Sequence, residues 1–416
     1  VIRIQKSAIG AAPGVFDFLG GIASQAGGLA LQSQTQSQTT VLATETSNET
    51  LSVTSSDFEL GRFEIPIAAF KNLVEKPGSH EELANWIAAS ETPAWAANAI
   101  ASLALFAIRF QWFPKSGISF AISTDILTAQ AIGRSVSMQV ATLRALEKLT
   151  GNYFIDQELA LLSHKASEKI LKHPCFTFIP AASAYGKPGC LSPLLDGGNN
   201  PHPPIELPRG VTIVGTPCQI APQTIKAKRS LVLSAINIGK LFAKRATNQE
   251  FDYITTLPPS KYRQSIEEML PKTIDGKSVL AEFTPAELSA IEIGEDIQYP
   301  VEEAFGYAIA ENYRCSLASH LLTNLAHNSK RRAVTHLGEV VLQSHASYSR
   351  LGLSNSKVDT LIKEIQENGA AQGIFGGRIT GICDSSNLVF LIDKKAIKRL
   401  RDLVRKTFGD EQKLTL

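Results

Sequence analysis

Apolar residues recur at i, i+3, i+4 and i+7 through Ser135 to Leu149, the spacing of an amphipathic helix, and Gly151 ends it. A second helix is predicted over Asp156 to Leu171. Upstream, Glu81 to Phe110 also reads as helical, with Trp86 and then Trp95 leading into an apolar run from Ala96 to Phe110. That run carries Asn98, Ser102 and Arg109 and falls short of the ~20 residues of a membrane span, so it is predicted to be a buried core helix. Ile118 to Ile126 alternates as a strand does. Thr/Val alternation around Thr39–Thr46 predicts a strand within the Ser/Thr/Gln-rich tract 31–57, with a polar loop as the competing reading. Val211 to Val214 reads as a buried strand and Leu231 to Lys244 as a helix. Two helices are predicted within 330–369, two strands around a turn in Gly373–Asp393, and a basic amphipathic helix over Lys394–Phe408. Gly186 to Gly210 is rich in Pro and Gly and reads as a long turn region and domain boundary. Strands and helices mix without a βαβ rhythm, which indicates an α+β class.

Composition narrows the partners. At 416 residues and 44% apolar, the chain is large enough for two or three packed units. A net charge of +2 gives no bulk attraction to nucleic acid or to a membrane, so neither is expected as a partner. The five cysteines form no CxxC and the eight histidines no HxxxH or HExxH, so reduced thiols and a cytoplasmic location are expected. The chain begins at Val1 without a signal segment, which leaves room for a further domain upstream.

Residues 10–32 carry the sharpest motif, GAAPGVFDFLGGIASQAGGLALQ. It resembles the opening motif of the GHMP kinases, the superfamily of galactokinase and L-arabinokinase. Pro13, Gly14, Asp17, Gly20, Gly21, Ile22, Ala23, Gly27, Leu29, Leu31 and Gln32 fit the arabinokinase branch. Val15 stands where that branch has a phosphate-facing Arg, and Ser24 where it has a sugar-binding Asp. The resemblance places substrate contacts at Gly20, Gly21, Ser24 and Gln25.

Two further glycine motifs of the superfamily are altered. Around Thr124–Thr142 the flanks match the phosphate-binding phrase, but Ala129 and Ala131 replace glycines and Arg134 interrupts the serine run. By resemblance Gly133, Arg134, Ser135 and Ser137 are nucleotide-binding; an ordinary helix start capped by Ser135 is the alternative. Gly376 to Val389 keeps the strand Gly377–Gly381 of the third motif and loses the glycines after it, with Ile382 and Cys383 in their place. In His173–Gly186, Pro174, Cys175, Ser183 and Gly186 fit the catalytic phrase, whereas Ile179 and Pro180 occupy the Asp and Gln positions. An isoleucine can neither take a proton nor hold a hydroxyl. Cys175 reads as a small buried hydrophobe. Lys226, Lys228 and Arg229 read as a solvated helix start. Leu337 to Ser354 resembles a packing segment in which His345 is a structural hydrogen-bonder.

The resemblance spans about Ala11 to Ile392. It implies a two-lobed α+β fold, lobes 1–200 and 201–416, with a cleft lined near 13–25, 125–137, 174–186 and 376–387. The implied reaction is ATP- and Mg2+-dependent phosphorylation of a monosaccharide such as L-arabinose or galactose to its 1-phosphate, with nucleotide binding expected to be weak or lost because Ala129, Ala131, Arg134, Ile382 and Cys383 replace residues that let the backbone reach phosphates. With Val15 and Ile179 at the catalytic positions no catalytic residue is assigned, nor any metal ligand. Three readings follow: an impaired sugar-kinase homologue, an active kinase of altered mechanism drawing charge from Arg134, Arg378 or Lys115, and a non-enzymatic module binding sugar, nucleotide or a partner.

Overall fold

The computed structural model describes residues 6–416 apart from 57–60, 77, 127–131, 174, 196–199, 219, 252, 324–329 and 383–384. The chain divides into two compact units, 1–16 with 34–188 and 17–33 with 189–416.

The first unit is built on strands β1 (Ser7–Leu19), β2 (Ala30–Thr46), β3 (Thr50–Ser55), β4 (Gly61–Pro66) and β5 (Gly117–Thr124); β1 and β2 also contribute residues to the second unit. The tract expected as strand or polar loop is a strand. Its pairing runs Thr39↔Thr124 to Thr46↔Gly117, antiparallel to β5. Thr39, Val41 and Ala43 point inward, and the buried Thr39 hydroxyl donates to Thr124 Oγ1 at 2.9 Å. The Thr/Val alternation predicted this strand, and the Thr39–Thr124 bond satisfies the inward hydroxyls that made a polar loop the rival. β3 lies parallel to β5 and antiparallel to β4.

The helices of this unit are α1 (Ile67–Val74), α2 (Ser79–Ala89), α3 (Ala94–Phe110), α4 (Arg134–Thr150), α5 (Asp156–Lys165) and α6 (Phe178–Tyr185). The single helical stretch read over Glu81–Phe110 is two helices, because Pro93 cannot continue a hydrogen-bonded turn and instead caps α3. α3 is apolar all round and buried from Trp95 to Ala107. Its Asn98 is held by Gln139 of α4, whose Nε2 donates to Asn98 Oδ1 at 2.8 Å and to Ser167 Oγ at 3.0 Å. Ser163 Oγ donates back to Gln139 Oε1 at 2.7 Å, so the buried amide is satisfied on both sides. α4 ends at Gly151, which takes a φ of 82°.

The second unit holds β6 (Cys190–Leu195), β7 (Asn200–Pro201), β8 (Ile205–Glu206), β9 (Val211–Pro217), β10 (Ile274–Asp275), β11 (Gln298–Tyr299), β12 (Ile374–Ile382) and β13 (Ser385–Asp393). Its helices are α7 (Pro222–Thr247), α8 (Pro259–Ser265), α9 (Gly276–Glu282), α10 (Val301–Thr323), α11 (Lys330–Arg350), α12 (Ser356–Asn368) and α13 (Ile397–Phe408). The stretch read as one long turn over Gly186–Gly210 contains β6, a correction: Leu191 to Leu194 pairs antiparallel with Ser33–Ala30 despite Pro193, and Cys190 pairs with Glu206. A three-stranded sheet of order β12-β13-β9 forms the other layer. Here Ile374, Ile379, Leu388, Phe390 and Ile392 pack with Val358, Leu361, Ile362 and Ile365 of α12 and Leu400 and Val404 of α13. Arg229 is also a correction: it is buried in α7, while Lys226 beside it is exposed as expected. Among the described residues no helix is long and apolar enough to cross a membrane.

Candidate functional site

Each unit carries part of the motif set. In the first unit, the carbonyls of β1 are tied down one after another. Arg144 Nη1 donates to Ala11 O at 2.9 Å, Ser137 Oγ to Ala12 O at 2.7 Å and Ser183 Oγ to Pro13 O at 2.9 Å. Val15 N donates to Ile132 O at 2.9 Å. Gly14 lies so close to Ile132 that a Cβ there would fall 2.9 Å from its carbonyl oxygen. The residues around 13–15, 132–137 and 179–183 are thereby brought together.

Gly133 caps α4 with a φ of 73°. That left-handed geometry favours glycine, and it explains the glycine kept where the flanking loop lost others; Ala129 and Ala131 lie outside the described residues. No side-chain cap bond closes the helix start, so Ser135 is not the cap. Ser135 is exposed, Arg134 half-buried and Ser137 fully buried. Val15 and Ile179, which the sequence resemblance matches to an Arg and an Asp, are 1% and 0% exposed. Ile179 Cγ2 lies 3.0 Å from the point a Cβ on Gly133 would occupy. Cys175 is buried, and its N–H donates to Glu168 Oε1 at 3.0 Å.

In the second unit, the turn Gly21–Ala26 is a short 3-10 helix entered through Gly20 at φ 106°. Its first amides meet buried acceptors. Gly20 N donates to Glu311 Oε1 at 3.2 Å, Gly21 N to Asp17 Oδ1 at 3.2 Å and Ile22 N to Tyr348 Oη at 3.4 Å. Ser24 turns its hydroxyl inward onto Gly21 O at 2.7 Å, and Gln25 is exposed. Of the four residues expected to contact substrate, Gly20 and Gly21 have their amides engaged within the fold.

Asp17 also accepts from Gln32 Nε2 at 2.9 Å and from the Thr380 hydroxyl. Glu311 accepts from Ser344 Oγ at 2.7 Å and from Arg314 Nε at 2.9 Å, and lies 4.0 Å from Arg378 Nη1. Arg378 is fully buried, donates to Phe18 O at 2.9 Å and lies over the Tyr348 ring at 4.7 Å. Two carboxylates and two guanidiniums thus balance beneath the turn. Burial alone would raise the Glu311 pKa; the charges of Arg314 and Arg378 and the Ser344 bond outweigh it and hold it below the ordinary carboxylate value. His345 accepts from Ile379 N through Nδ1 at 3.3 Å, and its Nε2 lies 3.1 Å from Asp359 Oδ1. That arrangement fits the neutral ring with its proton on Nε2.

Glu311 is the residue the motifs missed. Its signal was in the periodicity: Ala304, Ala308, Glu311, Cys315, Ala318 and Leu322 mark one buried stripe of α10, with a lone acid in it.

No protein-family model matches the chain. L-arabinokinase of Arabidopsis thaliana is 21% identical over 430 residues, a match that covers 89% of this chain. Galactokinase of Lactococcus lactis, solved with galactose, superposes with a TM-score of 0.72 at 16% identity, over 98% of this chain and 92% of that one. Mevalonate kinase of Methanococcus jannaschii superposes with a TM-score of 0.61 at 12% identity, over 98% and 96%. The chain is a homologue of L-arabinokinase with a GHMP-kinase fold. The homologue spans about 41% of the length of the plant enzyme it matches.

The first turn of α4 retains part of what a phosphate needs, because the leading N–H groups of a helix lack intrahelical acceptors and its dipole favours an anion. Ser135 is exposed there, whereas the Ser137 hydroxyl is held by Ala12. Among the described residues no three His, Cys, Asp or Glu side chains gather as a metal site, and no Mg2+ ligand is assigned.

Proposed function

We propose that this homologue keeps the frame of a sugar 1-kinase and has lost efficient phosphoryl transfer. Moving a phosphoryl group from ATP to a sugar hydroxyl rests on positioning and on charge stabilisation, with a carboxylate to accept or hold the hydroxyl proton. At the two family positions for that chemistry this chain has Val15 and Ile179. The single observation that carries the reading is Ile179, fully buried and packed against Gly133 at the head of α4. A side chain so placed is part of the apolar interior. Neither function can pass to it.

Arg134 is the cation of the altered-mechanism reading that lies at the start of α4. Arg378 does not suit that reading, since its guanidinium is fully buried and engaged with Phe18, Glu311 and Tyr348. The role left open to it is recognition, of a phosphate at the α4 N-terminus and of a polyol hydroxyl at the exposed Gln25, the amides of Gly20, Gly21 and Ile22 being spent within the fold. Isothermal titration with ATP, ADP and a monosaccharide panel including L-arabinose and galactose, with and without Mg2+, tests recognition. A phosphate-transfer assay on the same panel tests the loss. Binding without transfer is the expected combination, and transfer at an ordinary kinase rate overturns it.

A further inference from the structure

A concavity of about 490 Å³ opens in the second unit, where the turn before β12, the start of α11 and the C-terminal helix α13 meet. Arg331, Lys395, Lys398 and Arg399 line it. Among the described residues none of these four joins an ion pair; the pair made by this helix is Lys406 with Glu364, at 3.6 Å. Arg399 spends one donor on Gln372 O at 3.1 Å and keeps the rest of its fork. Four like charges converging on one hollow repel one another unless an anion enters. The Arg forks match phosphate oxygens in pairs, and the lysines add point charge.

Two acids share the lining. Asp393 accepts from Lys395 N at 2.9 Å, a cap of its local turn, while Asp402, exposed on α13, lines the same hollow. A carboxylate repels a polyanion and accepts from hydroxyls. The Gln372 side chain adds an amide. Among the described residues the lining contains no aromatic ring on which a nucleobase would stack. Cations for one phosphate, a carboxylate and an amide for hydroxyls, and no base platform together describe a phosphorylated polyol.

We propose that this pocket is a binding site for a small phosphosugar, separate from the kinase motifs. It lies within one unit and does not depend on whether transfer survives at the other residues. A chain with a sugar-kinase fold would there sense the product class of such a reaction.

Titration calorimetry on the full chain, with galactose 1-phosphate, inorganic phosphate, free galactose, ATP and a DNA duplex as probes, tests it. Galactose 1-phosphate is expected to bind one per chain, tighter than inorganic phosphate, with affinity falling as salt rises. Arg331→Glu with Lys398→Glu reverses two exposed charges and should weaken it at least tenfold, with circular dichroism unchanged. Lys398→Gln alone should weaken it less, and Asp402→Asn should shrink the preference over inorganic phosphate. Phosphosugar binding that survives the charge reversal belongs to the kinase motifs and overturns the proposal. So do equal binding of phosphate and phosphosugar, tighter binding of ATP or DNA that the reversal abolishes, and the lack of saturable binding.

Discussion

Ile179 and Gly133 interlock at the head of α4, the isoleucine Cγ2 lying 3.0 Å from where a Cβ on the glycine would be. The contact ties Ile179, where the sequence resemblance expects an Asp, to the geometry of the helix start. Ile179→Asp therefore inserts a charge into a site with no exposed surface, and the helix dipole offsets part of that cost. We expect a loss of about 2–4 kcal/mol in urea unfolding. Val15→Arg with Ile179→Asp should restore at most partial phosphate transfer, and Ser24→Asp should raise it further. Full recovery from Ile179→Asp alone would show that the remaining changes are irrelevant to the chemistry.

The turn at Gly21 is set by a close approach. A Cβ on Gly21 would fall 2.1 Å from Tyr348 Oη, at a φ of 43°. Gly21→Ala should cost about 2–4 kcal/mol by combining clash and backbone strain. Tyr348→Phe alone should cost about 1 kcal/mol, since it removes the acceptor for Ile22 N. In the double variant part of the Gly21→Ala cost should vanish, a coupling read from a double-mutant cycle on unfolding free energies. Strict additivity would mean that the two groups do not touch.

Arg378 neutralises buried carboxylates, and its removal should be felt through them. Arg378→Met leaves Asp17 and Glu311 with less counter-charge inside the fold, and a loss of roughly 3–5 kcal/mol is expected. Arg378→Lys should recover little of it, because an ammonium does not reproduce the fork that reaches Phe18 O and stacks on Tyr348. Chemical unfolding of both variants checks this. A Met variant as stable as the parent would mean that the Arg378 charge contributes no net stabilisation to the buried carboxylates.

His345 gives the chain an acid-sensitive contribution to stability. Burial pushes its pKa down to about 4; the Asp359 charge opposes the shift and the Arg378 charge adds to it. The unfolded chain takes up this proton first as pH falls below the ordinary value of about 6.5. Stability from this residue is therefore present above pH 6.5 and lost progressively down to pH 4, by roughly 3 kcal/mol. His345→Gln keeps an acceptor for Ile379 N and a donor for Asp359 without the titration. The difference in unfolding free energy between parent and variant should vary over that window and be flat above it.

Much of the architecture was legible because it rests on period and punctuation. α4 follows from its apolar spacing and Gly151, α3 from an apolar run too short for a membrane, and β12 and β13 from two strands around a turn. Less legible was whatever depends on distant partners. The strand at Thr39–Thr46 was legible in its Thr/Val alternation, with a polar loop as the rival until the pairing to β5 and the Thr39–Thr124 bond decided it. β6 hides in a proline-rich stretch because its pairing to Ala30–Ser33 decides it. The grouping of 17–33 with 189–416 has no local sign, since Asp17 meets Thr380 across 363 residues of chain. At the site, the motif departures at Val15 and Ile179 were visible in the letters. That Gly20 and Gly21 spend their amides on Glu311 and Asp17 was not, because Glu311 belongs to no motif.

Phosphate transfer itself is the most direct measurement. Radiolabelled ATP with Mg2+ and saturating L-arabinose or galactose, incubated with the unmodified chain, should give no sugar 1-phosphate above background. Losing one positioned acid–base group costs about 10²–10⁴-fold, and losing an electrostatic contact to the transferring group costs a comparable factor. Robust turnover, saturating normally with sugar and unaffected when Ile179 is replaced by Val, would contradict the proposed loss and place the reaction on another residue.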